Sequence, residues 1–214
     1  MTPVVFDLDG TLIDSLPDVT EAANALLSDE GLEALLQSTV AGFVGLGERV
    51  FLDRLIATTG LERAEYDNLM ERFIGHYKTA TRNTRLFPGV REALDDLRSD
   101  GVPLALCTNK PSAPLEPTLE AGGLIGVFDV VVAGDTLPSR KPDPGPLRYI
   151  MDKLSAGRCI YVGDSEVDAE TAVNASVPFV LFTEGIRQLP VSEIPHTVAF
   201  SDFRTLRGIY HSLT

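Results

Sequence analysis

The feature that most constrains this chain is a rhythm in its C-terminal two-thirds, where short, nearly continuous apolar runs alternate with amphipathic stretches. Val102–Thr108, Val127–Ala133, Arg158–Gly163, Pro178–Phe182 and His196–Phe200 read as strands: they are short, rich in β-branched or aromatic residues, and bounded by Gly, Pro or Asp. Helices are expected between them at Val90–Asp100, Ser112–Ala121, Gly145–Leu154 and Glu166–Ala175. Ser112 is placed to cap its helix and Pro114 to sit in the first turn, where a missing N–H costs little; Pro117 predicts a late start for that helix. Strands that are apolar on both faces and joined by helical crossovers require a parallel sheet covered on each side. The expected fold class is therefore α/β, a Rossmann-like doubly wound parallel sheet.

Residues 17–83 break the rhythm. They hold no convincing strand, and apolar residues recur at helical spacing: Val19, Ala22, Ala23, Leu26, Leu27, then Val50, Leu52, Leu55, Ile56, then Leu69, Met70, Phe73, Tyr77. Gly31, Gly45, Gly47 and Gly60 punctuate these helices. The expectation is a helical domain over 17–83, inserted between a first strand at Val4–Phe6 and the later units, so that 1–16 and 84–214 form one α/β core.

The formal net charge of −13 argues against a nucleic-acid surface, which needs a basic patch. It also means that an anionic substrate is repelled at long range and has to be drawn in by local cations and metal. No stretch approaches the roughly 18–20 apolar residues of a membrane span, and Val4–Phe6 is too short and lacks the basic lead-in of a secretory signal. A cytoplasmic protein, monomer or homodimer, is expected. Cys107 and Cys159 lie inside apolar runs and read as small core hydrophobes. His76, His196 and His211 do not cluster with one another or with the cysteines, and read as helix-surface or loop residues rather than metal ligands.

The chemistry concentrates at strand ends. Val4-Val5-Phe6 runs directly into Asp7-Leu8-Asp9-Gly10-Thr11, two carboxylates at i and i+2 followed by a glycine that permits a tight turn. Ligands of a parallel sheet bind outside the carboxyl ends of its strands, so this pair projects into that crevice. Taken alone, Asp and Gly after a strand are also ordinary turn chemistry. Three further segments change the balance. One strand ends in Thr108-Asn109-Lys110, another in Asp164-Ser165-Glu166-Val167-Asp168, and between them Lys141 stands in Arg140-Lys141-Pro142-Asp143-Pro144. Turn chemistry alone does not produce all four in this order.

With these four motifs, over essentially its whole length, the chain resembles the haloacid dehalogenase superfamily. The resemblance implies Asp7 as nucleophile and Asp9 as general acid and base, with Thr108 and Asn109 binding the substrate. It implies Lys141 neutralising the phosphoryl group, and a Mg2+ site formed by Asp7, Asp164 and the Asp9 main-chain carbonyl. Asp168 matches a second acidic position of the last motif and is expected to support the ligands from behind, or simply to favour its helix N-terminus. Two carboxylates plus waters and substrate phosphate are what Mg2+ takes, and fixed donors around a transferring phosphoryl group stabilise its spread charge. An acid at position 9 fits an alcohol leaving group rather than carbon–halogen chemistry. The helical segment resembles the cap of one branch of the superfamily. Phe43-Val44-Gly45-Leu46-Gly47-Glu48-Arg49-Val50 is similar to the cap loop of bacterial phosphoglycolate phosphatases, as are Pro17-Asp18 and Val191–His196. That likeness implies 2-phosphoglycolate as the small phosphorylated metabolite, with Arg49 reading its carboxylate. A sugar-phosphate or nucleotide phosphatase, a hexose-phosphate mutase and a non-catalytic binding module are the competing readings.

Overall fold

A computed structural model describes residues 1–214. The chain opens with β1 (Val4–Phe6) and a two-residue strand β2 (Ile13–Asp14), then runs through four helices, α1 (Leu16–Asp29), α2 (Gln37–Ala41), α3 (Glu48–Thr59) and α4 (Tyr66–Thr79). It returns through β3 (Arg85–Leu86), antiparallel to β2, into α5 (Val90–Ser99), β4 (Leu104–Cys107), α6 (Ser112–Ala121), β5 (Val130–Val132), α7 (Gly145–Lys153), β6 (Ile160–Gly163), α8 (Glu166–Ala175), β7 (Phe179–Phe182), β8 (Val198–Phe200) and α9 (Leu206–Leu213). Six strands form one parallel sheet in the order β5-β4-β1-β6-β7-β8. None of the helices is long and apolar enough to cross a membrane.

The side-chain period of two explains why the apolar runs are continuous. Val4 and Phe6 of β1, Leu104 and Leu106 of β4, and Ile160 and Val162 of β6 pack on one face, with α5 and α9. Val5, Ala105, Cys107 and Tyr161 pack on the other, with α7 and α8. Both faces are covered, so neither set can be polar. The buried apolar residues of the segment 19–80, by contrast, pack into a cluster of their own around Leu26, Leu27, Leu52, Leu55 and Phe73. Phe51 stacks on Phe73 at 4.8 Å between ring centroids. Glycines end these helices as expected: Gly60 closes α3 at φ +76°, and Gly47 precedes α3 at φ +86°.

Several boundaries differ from expectation. β1 has the expected bounds, but each of the five later sheet strands is shorter than its apolar run, because residues such as Val102 and Val127 are buried without joining the ladder. Ser112 is the first residue of α6 rather than its cap, which is Pro111. Asp135 reaches over and accepts both the Ser112 N–H (2.9 Å) and the Ser112 hydroxyl (2.8 Å), doing the work of a cap from another loop. Pro117 lies inside α6, not before it. The bond it removes would have reached the carbonyl of Ala113, an exposed residue that water can serve.

Candidate active site

Three neighbouring parallel strands deliver the site. β1, β4 and β6 pair in register (Phe6 with Leu106 and Val162), so the residues that follow them, Asp7, Thr108 and Asp164, emerge side by side at the carboxyl edge. The ladder continues one residue further: the Asp7 N–H donates to the Val162 carbonyl at 2.9 Å, and the Thr108 N–H to that of Val132 at 3.0 Å. Both side chains therefore leave from fixed backbone.

Lys141 arrives from the loop before α7 and is buried among them. Its ammonium lies 2.8 Å from Asp7 Oδ1 and 2.7 Å from Asp168 Oδ1, and donates to the Tyr161 hydroxyl at 3.0 Å. Burial alone would lower its pKa, but the Asp168 and Asp7 charges outweigh that and hold it above the ordinary ammonium range. Asn109 fixes the Lys141 backbone: its Oδ1 accepts the Lys141 N–H, and its amide donates to the carbonyls of Lys141 and Gly45, all at 3.0 Å. Both amide N–H groups are thereby committed to main chain. Asn109 thus lines the cavity as a brace between the loops at residues 45 and 141.

Asp7, Asp164 and Asp168 bring carboxylate oxygens within 4.8 Å of one another. They are not equivalent. Asp168 Oδ1 accepts from Lys141 and from the Tyr161 hydroxyl (2.6 Å). Its Oδ2 accepts from the Ser165 hydroxyl (2.6 Å) and from the N–H groups of Ser165 and Asp164. Ser165 and Asp168 form a reciprocal capping box at the start of α8. Burial would raise the Asp168 pKa, but Lys141 and these donors hold it below the carboxylate range. With five donors on two oxygens, Asp168 has nothing left for a metal, and both functions expected of it, supporting the site and starting the helix, are combined in one side chain.

Asp7 and Asp164 are in the opposite state. Burial, followed by the charge of Asp168, pushes Asp7 up to about 7 despite Lys141. Burial and the charges of Asp168 and Asp7 raise Asp164 well above the carboxylate range, although it accepts from the Thr11 hydroxyl and the Ile186 N–H, each at 2.6 Å. Three buried carboxylates, Asp7, Asp164 and Asp168, thus meet the single ammonium of Lys141, and the oxygen donors of Asp7 and Asp164 suit Mg2+. The backbone around Asp164 is closed in: a Cβ on Gly10, which sits at φ +87°, would come 2.3 Å from Asp164 Oδ2, and one on Gly185 2.5 Å. The residues present fit the ion.

Asp9 stands at the cavity mouth, partly buried, with its Oδ1 accepting from Lys110 Nζ at 3.0 Å. Lys110 also donates to the hydroxyl of Tyr77 of α4, and its ammonium lies 3.9 Å from that ring's centroid. Burial lowers its pKa and Asp9 opposes the shift. The cavity is lined by Asp7, Asp9, Thr108 and Lys141 together with the apolar Val19, Phe43, Phe51 and Phe73.

The structure brings together Asp7, Asp9, Thr108, Asn109, Lys141 and Asp164. Arg49 is not among them: it is exposed, does not line the cavity, and enters only through its carbonyl, which accepts from the Tyr66 hydroxyl at 3.2 Å. Its neighbour Glu48 faces the cavity instead and pairs with Arg140 at 3.2 Å. The sequence reading missed Lys110 and Tyr77. Lys110 stood in plain view beside Thr108, but its meaning depends on a partner that only the folded chain brings near. The histidines stay apart: His76 pairs with Asp29 at 2.8 Å, and His196 with the Ile194 carbonyl. Cys107 and Cys159 are free and buried, as expected.

The model of the haloacid dehalogenase-like hydrolases matches residues 4–182, which include Asp7, Asp9, Thr108, Asn109, Lys110, Lys141 and Asp164. The chain belongs to this family. It is a hydrolase whose curated relatives are similar along its full length. A phosphoglycolate phosphatase of Cereibacter sphaeroides is 45% identical over 216 aligned residues, covering 100% of this chain and 99% of that protein. A phosphoglycolate phosphatase of Rhodobacter capsulatus is 39% identical, covering 99% of this chain and 97% of that protein. Among solved structures, a predicted phosphoglycolate phosphatase from Haemophilus somnus superposes with a TM-score of 0.93 at 31% identity, covering 98% of both chains.

Proposed function

We propose that the protein is a Mg2+-dependent phosphatase that cleaves 2-phosphoglycolate to glycolate and phosphate through a phospho-aspartate on Asp7. The observation that carries the reading is the Asp7 carboxylate, paired with the Lys141 ammonium at 2.8 Å where both line one cavity. The full-length likeness to phosphoglycolate phosphatases supports the substrate.

In this mechanism an Asp7 oxygen attacks phosphorus, the phosphorus–ester oxygen bond breaks, and Asp9 gives the departing oxygen its proton. Water then attacks the phospho-aspartate, Asp9 takes back a proton, and phosphate leaves with Asp7 restored. Lys141 and the Thr108 hydroxyl meet the equatorial oxygens on which charge is spread. Mg2+, held by Asp7, Asp164 and the Asp9 carbonyl, would neutralise the phosphate dianion against the attacking carboxylate. Asp168 acts through Lys141, whose ammonium it holds. Residues 17–83 serve as a cap on a core of 1–16 and 84–214, excluding water from the first step.

The test is a side-by-side phosphate-release screen with Mg2+ over 2-phosphoglycolate, sugar phosphates and nucleotides. A kcat/KM highest for 2-phosphoglycolate is expected; a clear preference for a sugar phosphate or nucleotide would reassign the substrate. The role of Asp9 has its own signature. General acid–base catalysis contributes about 10²–10⁴-fold, so Asp9→Asn is expected to slow alkyl esters by that order. Aryl esters such as p-nitrophenyl phosphate, whose leaving group needs no proton, should lose the least. An equal loss on both classes would place Asp9 outside proton transfer.

A further inference from the structure

We propose that Lys110 receives the carboxylate of the substrate, with Tyr77 holding its ammonium ready for that contact. The inference rests on the phosphatase reading above and names the group that selects an acidic substrate.

Lysines 110 and 141 are the cations that line the cavity. Lys141 lies between Asp7 and Asp168 and serves the phosphoryl end. Arg140 is occupied by Glu48, and Glu48 itself faces the cavity, so that side repels a carboxylate. Arg49 is exposed away from the lining. Val19, Phe43, Phe51 and Phe73 of the lining are apolar and offer an anion no partner.

Lys110 has what the contact needs. Its side chain is 1% exposed, so its charge is little screened by water. Of the three N–H groups of an ammonium, one reaches Asp9 and one the Tyr77 hydroxyl, leaving one for a group in the cavity. The Tyr77 ring packs under the ammonium and fixes its height. Distance also agrees. Asp9 must touch the ester oxygen to protonate it, and in 2-phosphoglycolate the carboxylate is attached to the carbon that carries that oxygen. An ammonium already hydrogen-bonded to Asp9 is therefore within reach of it.

The experiment compares kcat/KM for 2-phosphoglycolate and ethyl phosphate, which has a methyl group where the other has its carboxylate, in wild-type protein and Lys110→Met. A charge-assisted contact corresponds to about 10–100-fold. The loss for 2-phosphoglycolate should exceed that for ethyl phosphate by this factor, with Lys110→Arg recovering part of the difference. Tyr77→Phe, which keeps the ring and removes the hydroxyl, should show a smaller preferential loss and covers the case in which Lys110→Met does not fold. Equal losses on the two esters in these variants would mean that Lys110 acts only by positioning Asp9, and would overturn the proposal. So would a preferential loss in Arg49→Ala with none in Lys110→Met. Wild-type protein that ignores both esters while cleaving others would instead refute the substrate reading, and this inference with it.

Discussion

Asp7→Asn is expected to abolish turnover of every phosphate ester, aryl or alkyl, by about 10⁴-fold or more. Asn has nearly the same shape and its oxygen can still accept from Lys141, so the fold and the floor of the cavity should persist. What disappears is the group proposed to bond to phosphorus: an amide oxygen is a poor nucleophile, and the other carboxylates lining the cavity, Asp9 and Glu48, are paired with Lys110 and Arg140. Asp164 is turned toward Thr11 and Ile186, and Asp168 is saturated by five donors. The measurement is single-turnover phosphate release at high enzyme concentration, together with circular dichroism to verify the fold. Residual turnover within tenfold of wild type would rule out the covalent route. The phosphoryl mimic beryllofluoride should bind the wild-type protein and not Asp7→Asn.

Removing divalent metal is expected to cost nearly as much. Asp7 at about 7 and Asp164 raised well above the carboxylate range by burial and the neighbouring charges describe a pair of carboxylates that resist being charged together. Below neutral pH such a pair takes up protons; a cation between them removes the penalty and keeps Asp7 ionised, the form that the proposed attack requires. The expected loss in excess chelator is about 10³-fold or more, since metal stabilisation of phosphoryl charge amounts to several kcal/mol. Mg2+ should restore the rate. Ca2+ should not, because it takes more ligands at longer distances and would spread the two carboxylates. Asp164→Asn should weaken Mg2+ binding measured by titration calorimetry on the resting protein, a readout independent of turnover. Unchanged activity in chelator, or unchanged Mg2+ affinity in Asp164→Asn, would refute the assignment.

What the sequence revealed and what it hid follow one physical division. Asp7, Thr108 and Asp164 were legible because each directly follows a buried apolar run, and a parallel sheet brings such ends to one edge whatever its strand order. Lys141 was legible through its motif. Asp168 showed one of its roles through its place in the first turn of α8. Lys110 was not legible, since the tyrosine and the aspartate that define it lie 33 and 101 residues away. Arg49 misled for a related reason: next to two glycines, a single step around the start of α3 decides which side chain enters the cavity, and Glu48 takes that place. The pairing of β2 with β3 is too short to leave a periodic signal, with two residues in each strand. The cap of α6 was hidden because Asp135 supplies it from a different loop.

The place of β1 in the sheet bears on how the protein is made. β1 is synthesised before both of the strands that flank it, β4 and β6, and its register with β6 joins Val4 to Ile160. At synthesis rates of about 5–20 residues per second, an apolar segment that belongs at the centre waits roughly 8–30 s for its second neighbour. The helical segment that follows it has no such dependence, because its own buried cluster lies wholly within residues 19–80 and can consolidate while the rest is still being translated. β1 therefore keeps one edge unpaired after β4 is made and until β6 emerges, and a nascent chain in that interval carries an apolar strand edge that chaperones are suited to shield.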